Sequence, residues 1–365
     1  MAGGSDDTNK GVKRPRRRAF KACLQALQAP DDLGESSNTL TTGSQQTTRV
    51  PLDALPHYSH VLLVTGAGVS HPAGVPTFTD SGKQAWYGKA KKKFKLSGSG
   101  KRMFSYAFFA KYRDDATSFF NEMAKTVRRA TPTEAHKSVA HLRAAGRLLR
   151  NYTLNVDNLD ALVDSQAIYP PRCDTSGTVL TKSPKRGDVV QLHGNVLETV
   201  CETCSTIATL AHPPPPNLSA PCSACGACDS VRHRIMLYDE KAEEAVLGAG
   251  VGSTMMRQLA EDAKSADVVA FVGLSFEQSA SVEYYRKVRR AAIPGATRLL
   301  VVNPDGGLAA SNVASATSFD TGVEYVDVTA DEFLAHLLNK DVNLSMLDND
   351  AQRCVRARKM LHGNW

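Results

Sequence analysis

Residues 60–70 read HVLLVTGAGVS. Val61 to Val64 are continuously apolar, and Gly66 and Gly68 follow closely. A short continuous apolar run predicts a strand buried on both faces, and the glycines predict a tight turn at its carboxyl end. Four more runs have the same form: YTLNVD at 152–157, DVVQLHG at 188–194, DVVAFVGLS at 267–275 and RLLVVNP at 298–304. Helical periodicity at 253–264, 278–292 and 331–339 lies between or after them. That alternation predicts an α/β fold with a doubly wound, Rossmann-like parallel sheet. Two stretches interrupt it: a helical pattern at about 89–150, with Thr133 as an N-cap, and a Cys-rich stretch at about 198–235.

The composition agrees. Of 365 residues, 42% are hydrophobic and 22% charged, which excludes a mainly disordered chain. No apolar run reaches the roughly 18 residues that a membrane-spanning helix needs, and the N-terminus has no signal-peptide stretch. A soluble intracellular protein is expected. The net charge of +7 is uneven. Residues 1–28 carry +5, residues 83–102 carry +8, and the rest sums to −6. The first run contains KRPRRR (Lys13 to Arg18) on a tail, 1–49, expected to be disordered. It reads as a nuclear-import signal, a nucleic-acid contact or a solvated tail. The second run is expected to form a mobile, Lys-rich loop.

Several residues could carry chemistry, and each has an ordinary alternative. Gly66-Ala67-Gly68 suits close approach to a pyrophosphate, or a plain turn. Asn155 and Asp157, past a strand end, could grip a ribose and a carboxamide, or form an Asx turn. His193 at another strand end suits a general base, or a satisfied structural imidazole. Five of the eight cysteines fall between Cys201 and Cys228. Cys201-x-x-Cys204 and, 17 residues on, Cys222-x-x-Cys225 fit a zinc site. Four thiolates close the coordination sphere, so the one zinc ion would be structural. Cys225-x-x-Cys228 is a second pairing, but Gly226 after Cys225 favours the first as a tight knuckle.

The order of these features resembles the sirtuins, the NAD-dependent protein lysine deacylases. GAGVSHPAGVPTF looks like their GAG-I-S-x-x-x-G-I-P-D-F-R segment, and TLNVDNLD like T-Q-N-I-D-x-L-H. QLHG, the cysteine spacing, VGLS and VVNP are similar to further motifs of that family, over roughly 50–340. VRHRIMLYDE stands where many members have L-R-P-x-V-V-x-F-G-E, and its LYDE form is similar to the fungal nuclear branch that deacetylates histones. The resemblance implies a catalytic domain over 50–340, with a core at about 50–88, 151–197 and 236–340, a helical insertion at 89–150, a zinc module at 198–235 and a C-terminal tail at 341–365.

It also implies roles. Gly66, Ala67, Gly68 and Ser70 would line the pyrophosphate, and Phe78 would shield the nicotinamide side. Asn155 would orient the nicotinamide ribose, while Val156 and Asp157 hold the carboxamide. His193 would be the general base, with Asn155 and Asp157 completing the catalytic set. Gly273, Ser275 and Asn303 would bind the adenosine half, and Tyr238, Asp239 and Glu240 one side of the peptide groove. In the implied reaction an acyl-lysine oxygen attacks NAD, expelling nicotinamide, and acyl-ADP-ribose leaves with it. Acetylated histones or other nuclear proteins would be substrates, with DNA contact through 13–18 and 89–102. Departures from the pattern predict weakened activity: Thr77 and Thr79 replace Asp and Arg, Leu154 replaces Gln, Asp160 replaces His, and Leu274 replaces Thr. Thr offers neither the cation nor the donor fork of Arg. Alternatives are a non-catalytic module binding NAD, ADP-ribose or acylated chromatin, a mono-ADP-ribosyltransferase, and a long-chain deacylase.

Overall fold

The computed structural model describes residues 47–79, 84–169, 184–240, 251–317 and 322–339, with backbone only for 251–253. The strands in chain order are β1 (Thr47–Arg49), β2 (Val61–Thr65), β3 (Leu148–Thr153), β4 (Ile168–Tyr169), β5 (Val189–Gln191), β6 (Gly194–Cys201), β7 (Ile207–Thr209), β8 (Val231–Ile235), β9 (Val268–Val272), β10 (Arg298–Val302) and β11 (Val323–Val326). The helices are α1 (Trp86–Phe94), α2 (Tyr106–Lys111), α3 (Arg113–Val127), α4 (Glu134–Ala144), α5 (Leu159–Val163), α6 (Val251–Ser265), α7 (Ser279–Ala291), α8 (Gly306–Ala316) and α9 (Ala330–Asn339). Among the described residues no helix is long and apolar enough to cross a membrane.

Eight parallel strands form one sheet in the order β1-β11-β10-β9-β2-β3-β5-β4. Every residue of β2 is buried, because alternate side chains enter two different cores. Leu62 and Val64 join Phe271, Val301 and residues of α6, α7 and α8. Val61 and Leu63 join Ala270, Leu300 and residues of α4 and α9. This is why the strands read as unbroken apolar runs. The order reverses at β2: the chain moves one way to β3 and β5, and the other way to β9, β10 and β11. The switch point therefore lies past the carboxyl ends of β2 and β9, the place where such sheets bind ligands.

A second, antiparallel sheet has the order β7-β6-β8. Its Val196 and Ile235 share a third core with Trp86, Phe104, Phe119 and Phe120 of the helical insertion.

Four expectations need correction. The 84–102 stretch is not a loop: Trp86, Tyr87 and Ala90 are buried on α1, and Gly100 lies so close to the Tyr87 backbone that a β-carbon would clash there. The expected tail reaches 49, yet Thr47–Arg49 already pairs with β11. The strand read at 152–157 runs instead over Leu148–Thr153, because Gly146 at φ +70° ends α4 earlier than the periodicity suggests. Helix α8 was hidden because its Gly306-Gly307 start reads as a turn. The basic cluster 13–18 and the tail 341–365 lie outside the described residues.

Candidate active site and metal centre

Each of the five sequence runs ends at the same edge of the sheet, so their terminal residues converge. The β2 and β9 turns touch. Gly66 N donates to Val272 O (2.9 Å) and Gly68 N to Gly273 O (3.0 Å). A β-carbon at Gly68 would stand 2.7 Å from Gly273 Cα, and one at Gly66 would stand 2.2 Å from Leu274 Cδ2. The glycines are thus required by the contact between two turns, before any ligand is considered. Gly273, at φ +69°, donates in turn to Val302 O (2.9 Å). Asn303 Nδ2 donates to Leu274 O (3.2 Å), and Asn312 Nδ2 to Ser275 O (2.9 Å). Gly273, Ser275 and Asn303 therefore form one corner.

Ala67, Phe78, Asn155, Val156 and Asp157 line one pocket, together with Val75, Trp86 and Met123. Asn155 is buried, and its Nδ2 donates to Gly66 O (3.0 Å) and Ser70 Oγ (3.1 Å). Behind it stands His136, which sequence reasoning missed. Thr133 N donates to His136 Nδ1 (3.2 Å), while Thr133 Oγ1 donates to Val69 O (3.1 Å). With Nδ1 accepting, the proton lies on Nε2, which donates to Ser70 Oγ at 3.5 Å. The Thr133-x-x-His136 capping box was the available signal. Asp157 Oδ1 accepts from Leu159 N (3.0 Å), the Asx turn weighed above. Burial raises the Asp160 carboxyl above its ordinary range, His136 opposes this and Asp157 adds to it.

His193 stands past β5, and its imidazole interacts with the Leu154 backbone, one residue before Asn155. Its Nε2 is buried and has no hydrogen-bond partner among the described residues. Desolvation lowers its pKa to about 4, partly opposed by the Leu154 bond. The ring is therefore neutral near pH 7, with an available lone pair: a base with no proton to lose first. Tyr284 of α7, unflagged by sequence, lies 6.0 Å from it, centroid to centroid.

Leu154 and Leu274 pack with the core cluster beside α6 and α7, so two polar positions expected near the cofactor are apolar. Thr77 accepts through its carbonyl from Trp86 N (2.8 Å). The side chains expected at the peptide groove are already engaged within the fold, although Asp239 is exposed. Asp239 accepts from Tyr106 N (2.5 Å) and Ala107 N (3.1 Å), capping α2, and Glu240 makes two 2.9 Å bonds with Arg232. Tyr238 OH bonds Tyr87 OH (2.6 Å).

At the far end of β6, the Sγ atoms of Cys201, Cys204, Cys222 and Cys225 all lie within 4.8 Å of one another. The 201–225 and 204–222 separations are 3.8 and 3.7 Å. Zinc–sulfur bonds of about 2.3 Å place tetrahedral sulfurs about 3.8 Å apart, so the set fits zinc. Two matching knuckles present it: Ser205 N donates to Cys201 O and Gly226 N to Cys222 O, both at 2.8 Å, with Ser205 at φ +61° and Gly226 at φ +71°. Cys228 is exposed and outside the set.

A sequence model of the Sir2 family matches residues 66–172. The chain is 28% identical over 228 residues to the NAD-dependent protein deacetylase hst4 of Emericella nidulans, covering 55% of this chain and 36% of the relative. It is 34% identical over 152 residues to the NAD-dependent histone deacetylase HST3 of Saccharomyces cerevisiae, covering 40% and 32%. It thus spans about a third of the length of these curated relatives. A solved Sir2 homolog–NAD complex superposes with a TM-score of 0.54 at 20% identity, over 77% of this chain and 90% of that one, which shows the shared fold.

Proposed function

We propose that the chain, whose residues 66–172 match the Sir2 family model, is an NAD-dependent protein lysine deacetylase of histones or other nuclear proteins, releasing nicotinamide and O-acetyl-ADP-ribose. The observation that carries this reading is the buried Nε2 of His193, which has no hydrogen-bond partner among the described residues, with its ring tied to the backbone one residue before Asn155. When bound, NAD supplies the ADP-ribosyl group that takes the acyl group from lysine. Gly66, Ala67, Gly68 and Ser70 hold its phosphates, and Gly273, Ser275 and Asn303 its adenosine half. Asn155 orients the nicotinamide ribose, held in place by Ser70 and the Gly66 carbonyl. Val156 and Asp157 hold the carboxamide, and Phe78 covers that side of the pocket. His193 Nε2 takes a proton from a ribose hydroxyl. The substrate strand lies along the backbone of Tyr238, Asp239 and Glu240. Zinc would be held by Cys201, Cys204, Cys222 and Cys225, four thiolates that would leave it no open position for chemistry.

A second reading has support in the apolar packing of Leu154 and Leu274: a member that binds NAD or ADP-ribose with little turnover. Nuclear action with DNA contact belongs to the proposal too, through exposed Lys91, Lys92 and Lys95 of the basic segment. The test is nicotinamide release from NAD, with and without an acetylated histone peptide, for wild type and His193→Ala. Peptide-dependent release by wild type alone supports the enzyme. Background release from both overturns it, and calorimetric NAD binding then supports the second reading.

A further inference from the structure

The chain leaves the parallel sheet at Gln191 and enters the antiparallel sheet at Gly194, so Leu192 and His193 form the bridge between them. Gly194, at φ +84°, makes the corner. One side of this bridge is held by β8: Met236 N donates to His193 O (3.0 Å), and Asn195 stands opposite Arg234. The other side is held by the Arg234 side chain. Arg234 is 1% exposed. Its Nε donates to Glu198 Oε2 (2.8 Å) and its Nη2 to Gln191 Oε1 (2.9 Å). Gln191 Nε2 then donates to Asn158 Oδ1 (2.8 Å). Asn158 follows Asp157 directly and sits at φ +60°, in the left-handed region that Asn tolerates better than most residues.

One buried chain, Glu198–Arg234–Gln191–Asn158, therefore joins the zinc-bearing sheet to both polar motifs of the candidate site. A buried ion pair is weak evidence for stability, since an apolar pair of equal volume often serves as well. A planar fork that serves two acceptors on different sheets has a geometric use that an apolar pair lacks. We propose that Arg234 is a positioning residue of this site, fixing His193 through Gln191 and Asp157 through Asn158, and so setting the angle between the two sheets at the reacting centre.

The proposal rests on the deacetylase reading for its kinetic readout and on His193 itself for a second. Arg234→Lys keeps a charge for Glu198 but has no fork to serve Gln191. Arg234→Met with Glu198→Met removes the charges together, leaving none buried alone. Both full-length, zinc-loaded variants are expected to keep one zinc, fold cooperatively and hold their KM for the acetylated peptide, while kcat falls roughly 10- to 100-fold, as a displacement near 1 Å produces. In parallel, carbon-13 imidazole NMR should show the His193 titration midpoint rising by about one pH unit as its ring becomes hydrated. Wild-type kcat together with an unmoved midpoint, in the folded Arg234→Lys protein, overturns the proposal. Wild type that consumes no NAD overturns the deacetylase reading instead, and the NMR midpoint still decides the role of Arg234.

Discussion

Replacing Gly68 with Ala should force two loops of the site apart. The new methyl would meet Gly273 Cα at 2.7 Å and Gly273 O at 3.1 Å. Both are main-chain atoms, so no side chain can rotate away. The turns are also tied by the Gly68 N to Gly273 O bond of 3.0 Å and anchored by Gly273 N to Val302 O at 2.9 Å. Ordinary contact requires about 1 Å of separation. Overpacking of this kind costs about 1–3 kcal/mol, and weakening the tie adds about 0.5–1.5 kcal/mol. Together these should lower the melting temperature by roughly 3–9 °C. Gly74→Ala is the control: it sits at φ +78° with no described atom within 4 Å, so the left-handed backbone resists it, at about 1–2 kcal/mol. Differential scanning calorimetry without ligand isolates the packing term from any clash with a nucleotide. Turnover of NAD by Gly68→Ala should fall about 100-fold, because Asn155 takes its position from the Gly66 carbonyl in the same turn. If Gly68→Ala melts within 1 °C of wild type, the contact between the turns does not constrain the site and the reasoning fails.

Four more outcomes follow from the same structure. A base with its pKa lowered to about 4, as for His193, is about 97% unprotonated at pH 5.5, against roughly 9% for an ordinary imidazole; kcat/KM should therefore fall less than twofold between pH 7.5 and 5.5, and a tenfold fall would contradict it. His193 at about 4 and buried His233 at about 3 bind fewer protons folded than unfolded, so urea midpoints should drop as pH falls from about 6.5 toward 4 and stay level above 7. Chelation or Cys222→Ala should release the metal and lower the melting temperature, whereas Cys228→Ala should keep one bound ion by metal analysis; metal loss in the latter would reassign the ligands. If Lys91, Lys92 and Lys95 contact DNA, changing all three to Gln should reduce the slope of log affinity against log salt by about 2.7, and an unchanged slope removes that contact.

The apolar runs and their ending residues were enough to read a parallel sheet, and the cysteine spacing enough to read a closed metal site. Both signals are local: a buried strand needs a few consecutive apolar residues, and a knuckle needs two cysteines and a left-handed turn. The positions of Asn155, Asp157 and His193 past strand ends were legible for the same reason, since each follows an apolar run. The basic stretch misled because lysines dominate its composition, while Trp86, Tyr87 and Ala90, which decide its structure, do so only by packing against distant aromatic residues. Likewise nothing near Gly68 in the chain announces Gly273, and nothing near Arg234 announces Gln191 or Asn158. Those partners lie 205, 43 and 76 positions away in sequence, and only the crossing of strands brings them together. The sequence by itself determined which residue types stand at the strand ends. The tertiary structure decided which of them touch, which side chains are already occupied, as Asp239 and Glu240 are, and which buried polar atoms have no partner among the described residues, as His193 Nε2 does, because hydrogen-bond satisfaction depends on neighbours that only folding supplies.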